Sequence, residues 1–160
     1  MAKKEKTLAM RVLDSQDVPY EVIEFPDTVH DAVEVAQIAG VPPENVYKTL
    51  VVEADEPGFK PILIMIAANS TLDLKKVAKV VGVKKAHMAR HADAERMTGL
   101  KTGGISTLAV LNKGFAVYID EWVDLLDFVL VSAGQRGINL RLSPADLVRV
   151  TGAQIVDVSE

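Results

Sequence analysis

Val46-Tyr47-Lys48-Thr49-Leu50-Val51-Val52 decides how the rest of the chain is read. The stretch reads as a β-strand, and its period of two puts Lys48 on the same face as Val46, Leu50 and Val52. An ammonium group in the middle of an apolar face must either snorkel to water or meet an anion or a carbonyl. Both readings stand at this point. A lysine at the rim of a cavity can orient a phosphate or polarise a carbonyl.

Working outward, Pro57-Gly58 forms a loop or hairpin and Ile62 to Ala67 returns as a buried strand. Upstream, Thr28 followed by Asp31 resembles a helix start, because a hydroxyl can accept from the free amides of the first turn. Val29, Ala32, Val35, Ala36 and Ala39 then keep a helical stripe that stops at Gly40. Further upstream lie a helix over Lys6 to Gln16 and a strand over Tyr20 to Phe25. Downstream, Leu72 to Val81 is a helix with Leu74, Val77, Ala78 and Val81 inward and its lysines outward. A short strand at Lys85 to Met88 and a helix at Asp93 to Met97 come next. Gly99 to Thr107 is a glycine-rich loop, and Phe115 to Ile119, Phe128 to Ser132 and Ile138 to Leu142 are strands. Ser143-Pro144-Ala145-Asp146 opens a helix with a cap, a first-turn proline and a carboxylate near the positive end. That helix ends at Gly152, before a last strand at Gln154 to Val158. The class is α+β, with a mixed sheet able to close on itself.

The chain has 160 residues, no cysteine, a net charge of −4 and 49% apolar residues. That length suits one domain, residues 1–160, at roughly 100–200 residues per domain. The lack of cysteine excludes a disulfide scaffold, a thiolate zinc site and a cysteine nucleophile. The longest apolar stretch, Pro61 to Ala68, is far short of the ~18 residues that span a bilayer. Met1-Ala2-Lys3-Lys4-Glu5-Lys6 is basic, but no signal-peptide apolar region follows it. A soluble, cytoplasmic protein without membrane contact is expected.

Charge is uneven. Between Lys75 and Lys101 eight positive residues face only Asp93 and Glu95, whereas the C-terminal segment is acidic. Such a division marks either a solvated lysine face or a side that meets a polyanion.

Gly99-Leu100-Lys101-Thr102-Gly103-Gly104-Ile105-Ser106-Thr107 is neither a Walker loop nor a dinucleotide fingerprint. Adjacent glycines let backbone amides converge on an oxyanion, or simply make a tight turn. His30, His87 and His91 have no metal-ligand spacing, and no Gly-x-Ser-x-Gly elbow exists. No cofactor and no metal are expected, and an enzyme built on this chain lacks an ordinary side-chain nucleophile.

Val46 to Leu50, Leu72 to Lys79, Thr98-Gly99 with Gly103 to Ser106, and Val131 to Gly137 with Leu142 to Leu147 together resemble the YbaK/EbsC family. Those proteins are freestanding aminoacyl-tRNA deacylases related to the editing domain of bacterial prolyl-tRNA synthetases. The resemblance implies a closed or nearly closed mixed β-barrel of about seven strands flanked by short helices. It implies hydrolysis of mischarged tRNA in trans, with Cys-tRNA(Pro) as the foremost substrate. Alternatives are a deacylase for alanine, serine or threonine, and a non-catalytic module that binds tRNA or aminoacyl-adenosine.

The resemblance also assigns residues. Lys48 matches the key active-site lysine, with Gly103 and Gly104 supplying amides. Ile105 and Ser106 fall in the loop that lines the amino-acid pocket, and Thr28 matches a pocket-side position. Phe25 lies near a place where cysteine-specific relatives carry tyrosine. Thr107 stands where many members have proline, and Asn139 replaces a common aspartate. Water, a terminal ribose hydroxyl or the substrate's own thiol would then carry the chemistry. Lys75, Lys76 and Lys79 are expected to touch tRNA, with prolyl-tRNA synthetase as a further partner.

Overall fold

The structure is a computed structural model that describes residues 5–160; the basic run Met1-Ala2-Lys3-Lys4 lies outside the described residues. Helix α1 (Leu8–Ser15) is capped by the Thr7 hydroxyl, and strand β1 (Glu21–Glu24) follows it. Helix α2 (Ala32–Ala39) leads through a 3-10 turn at Pro43–Asn45 into β2 (Tyr47–Ala54) and β3 (Ile62–Ala67). Next come α3 (Leu74–Val81), β4 (Ala86–Met88) and α4 (His91–Thr98). Strand β5 (Ala116–Asp120) precedes the hairpin of β6 (Val129–Ser132) and β7 (Ile138–Leu142). Helix α5 (Pro144–Thr151) and β8 (Gln154–Val156) complete the order.

These strands make two open sheets, β1-β7-β6 and β4-β2-β3-β5-β8, so the expected closed or nearly closed barrel is not formed. The first sheet is antiparallel throughout, while the second is antiparallel at β4, β2 and β3 and parallel at β5 and β8. Among the described residues a single isolated bridge, Val46 to Leu130, links the chain just before β2 to β6. The Val46 amide donates to Pro43 and its carbonyl accepts from Ala68, which continues the β2–β3 pairing. Upstream stand Pro42 and Pro43, and prolines have no amide to donate.

Both faces of the β2–β3 pair are covered, which explains the unbroken apolar run of β3. Tyr47, Val51, Leu63 and Met65 face a core shared with α1 and the β6–β7 hairpin. Val52, Ile62, Ile64 and Ile66 face α3 through Val77 and Ala78. Val46 belongs to a third cluster, under α2, with Val35, Ala36 and Leu130. The even-numbered face of β2 therefore passes from the α2 cluster to the α3 cluster, and Lys48 lies where it changes over.

Candidate active site

A cavity of about 240 Å3 opens at this changeover. Lys48 forms part of its wall, and its Nζ donates to the Ala68 carbonyl at 3.2 Å. The sequence left two fates open for this ammonium group, and the structure gives it a carbonyl. Burial pushes the lysine below its ordinary pKa, and the negative charge of Asp31 opposes that shift.

Beside Lys48, the Thr49 and Thr107 hydroxyls share a hydrogen bond of 3.0 Å. Thr107 thus ties the end of the glycine loop directly to β2. Asn139 of β7 lines the cavity opposite, buried but with no side-chain partner among the described residues. Ser132 also lines it, and its hydroxyl accepts from the Gly134 amide.

The glycine loop enters the wall through Thr102, Gly103 and Ile105. Gly103 has φ +87°, a conformation that favours glycine, and its amide has no acceptor among the described residues. Gly104 lines no part of the cavity; its amide is spent on the Lys101 carbonyl at 2.8 Å. It instead allows the loop to lie on the backbone of Gln135 and Arg136, where an added Cβ would come within 2.9 Å of the Arg136 nitrogen.

Two side chains clamp the loop from outside. Glu95 of α4 accepts the Thr102 amide at 2.7 Å, and Arg136 Nε donates to the Thr102 carbonyl at 2.7 Å. The Thr102 amide holds the Glu95 carboxyl below its usual range, with Lys101 and Arg136 adding to the effect.

Of the residues singled out in the sequence, Lys48, Gly103, Ile105 and Asn139 come together at the cavity, and the others do not. Ser106 is buried, and its hydroxyl accepts from the Ala109 amide of the turn Leu108–Lys113. Phe25 packs beneath α2. Thr28 is exposed, and the cap of α2 is Asp31, which accepts the Val33 amide at 3.1 Å. Lys75 and Lys79 are exposed on α3, whereas Lys76 is held by Asp157 at 3.0 Å and by the Ser159 carbonyl at 2.8 Å.

Sequence reasoning missed His30, Asp31 and His91 as wall residues. Asp31 had a signal, since it was already half of a helix-start pattern. His91 had none that could be used: it opens α4 while His87 sits on β4 beside Asp55.

Residues 26–150 match the family model of the aminoacyl-tRNA editing domain. Over 99% of its length the chain is 35% identical to a candidate Cys-tRNA(Pro)/Cys-tRNA(Cys) deacylase, EbsC, of Enterococcus faecalis, covering 98% of that protein. It is 25% identical to the proline–tRNA ligase of Staphylococcus aureus over 76% of this chain and 20% of the ligase. A crystal structure described as a candidate trans-editing enzyme for prolyl tRNA synthetase superimposes with a TM-score of 0.82 at 26% identity. That match covers 98% of this chain and 99% of the other.

Proposed function

The chain belongs to the aminoacyl-tRNA editing domain family, and we propose that it acts in trans to remove cysteine from mischarged tRNA(Pro). Its activity is aminoacyl-tRNA deacylation. The observation that carries the reading of the site is one cavity holding both a half-buried lysine and a glycine amide with no acceptor among the described residues. A tRNA ester brings a carbonyl and a nearby phosphate, and each is met by one of those donors.

In the hydrolysis, the oxygen of water bonds to the ester carbonyl carbon, and the bond from that carbon to the ribose oxygen breaks. A proton passes to the ribose oxygen, leaving a free hydroxyl on the tRNA and a free carboxylate on the amino acid. Negative charge builds on the carbonyl oxygen on the way, and preorganised donors stabilise it. In this reading Gly103 offers its amide, and Lys48 holds the ester or the adjoining phosphate. The Thr49 and Ser132 hydroxyls are bonded to Thr107 and Gly134, and neither is bonded to a histidine base among the described residues. Attack by water or by the thiol of cysteine itself suits this wall better than a serine or threonine nucleophile. In the thiol route, sulfur bonds to the carbonyl carbon, the ester bond breaks, and water later opens the resulting thiolactone.

Lys75 and Lys79, exposed on α3, are the candidates for contact with the tRNA backbone. Prolyl-tRNA synthetase is the proposed source of the mischarged tRNA, and the cytoplasm the proposed compartment. No helix among the described residues is long and apolar enough to cross a membrane. The test is deacylation of Cys-, Ala-, Ser- and Pro-tRNA(Pro) side by side. Preferential loss of the cysteinyl ester supports the assignment, and equal rates with and without the protein on all four refute it.

A further inference from the structure

The cavity wall carries charges of both signs. Lys48 supplies a positive one, His30 and His91 are the other basic side chains of the wall, and Asp31 is the one carboxylate in it among the described residues. One oxygen of Asp31 caps α2 by accepting the Val33 amide; the other has no partner among the described residues. The neighbouring polar groups from β7 and β6, Asn139 and Ser132, are neutral. Asp31 is close enough for its charge to be felt at Lys48.

An aminoacyl ester is itself dipolar. Its α-amine carries a proton at and below neutral pH, with an ordinary pKa of roughly 8, while the carbonyl and the adjoining phosphate attract cations. A cavity offering Lys48 alone would repel the ammonium end of its own substrate. Like charges disfavour one another more strongly inside a partly desolvated wall than in water. Taking the deacylase reading as its basis, we propose that Asp31 holds the α-ammonium group of the aminoacyl ester in the cavity that Lys48 also lines. The substrate class follows: amino acids esterified to tRNA with a free α-amine. Peptidyl or N-acylated esters, which lack that charge, are poor substrates.

Asp31 also has a purely structural job, and the test has to separate the two. Asparagine caps a helix as well as aspartate does, so Asp31→Asn keeps the cap and removes the charge. The measurement is kcat/KM at pH 6.5 for alanyl- and cysteinyl-tRNA(Pro), each with its α-amine free or acetylated, using wild type and Asp31→Asn. Thermal unfolding confirms that the variant is folded. Wild type is expected to prefer the free amine by at least tenfold. Asp31→Asn should lower kcat/KM for the free-amine form about tenfold and leave the acetylated form unchanged, so that the preference collapses. A preference equal in wild type and Asp31→Asn overturns the assignment while leaving the deacylase reading intact. Wild type that cleaves none of the four esters removes both.

Discussion

Gly103 rests directly on His30: a methyl group added at Gly103 would stand 2.9 Å from the His30 Cβ and 3.1 Å from its Cα. The contact joins the glycine loop to the chain just before α2, and both residues line the cavity. Because the obstacle includes backbone, neither residue can yield cheaply. The positive φ at Gly103 adds strain for any other residue.

Gly103→Ala is therefore expected to displace the loop. Deacylation should fall about tenfold or more, and the melting temperature should drop, from a cost of roughly 1–3 kcal/mol. Gly58→Ala is the control, since its φ is +79° but an added Cβ meets nothing within 4 Å. It should destabilise without touching activity. Equal losses of activity in the two variants would show that the Gly103–His30 contact has no special part.

The clamp around Thr102 gives a pH prediction. The Glu95 carboxyl is held below its ordinary value, chiefly by the Thr102 amide. A depressed carboxyl stabilises the fold at pH above its unfolded pKa and loses that contribution as pH falls through the lowered folded value. The loop should stay fastened through neutral and mildly acid pH. By NMR, the Thr102 amide proton should shift with a midpoint below the ordinary glutamate value of roughly 4.3. That step should vanish in Glu95→Gln. A midpoint at or above the ordinary value would mean that the carboxylate does not hold the amide.

The lysines of α3 are separable by their partners. Lys76 is bound to Asp157 and Ser159, whereas Lys75 and Lys79 are exposed. Each phosphate contact steepens the salt dependence of nucleic-acid affinity by somewhat under one unit of log–log slope. Lys75→Gln with Lys79→Gln should flatten the slope for tRNA binding by about one to two units. Lys76→Gln should change it less. An unchanged slope in the double variant would move the tRNA contact elsewhere.

Much of the fold was legible because its signals were local. The alternation through Val46 to Val52 and the apolar run Ile62 to Ala67 define β2 and β3. The stripe Leu74, Val77, Ala78 and Val81 marks α3, and Ser143 and Gly152 bound α5. Barrel closure was not legible, because it turns on how far the chain before β2 pairs with β6, a contact between segments distant in sequence. The cap of α2 was misplaced between Thr28 and Asp31 because both side chains can cap, and tertiary position decides which one does. At the site, Lys48 announced itself as a charge on an apolar face. Its neighbours did not: the Thr49–Thr107 bond spans 58 residues and the Glu95–Thr102–Arg136 clamp joins α4 to the β6–β7 turn. The basic stretch seen in the sequence also concealed that Lys76 is neutralised by Asp157, 81 residues away.

The central claim is that the charge of Lys48 serves the reaction and not the fold. Burial disfavours that charge, so the folded-state pKa is lowered and the protonated lysine costs stability below it. Lys48→Met keeps the length of the side chain and removes the charge. The most direct measurement is single-turnover deacylation of Cys-tRNA(Pro) by wild type and Lys48→Met, with thermal unfolding of both proteins. The expected result is a rate lower by about 100-fold or more at an equal or higher melting temperature. An unchanged rate at an equal melting temperature would contradict the account.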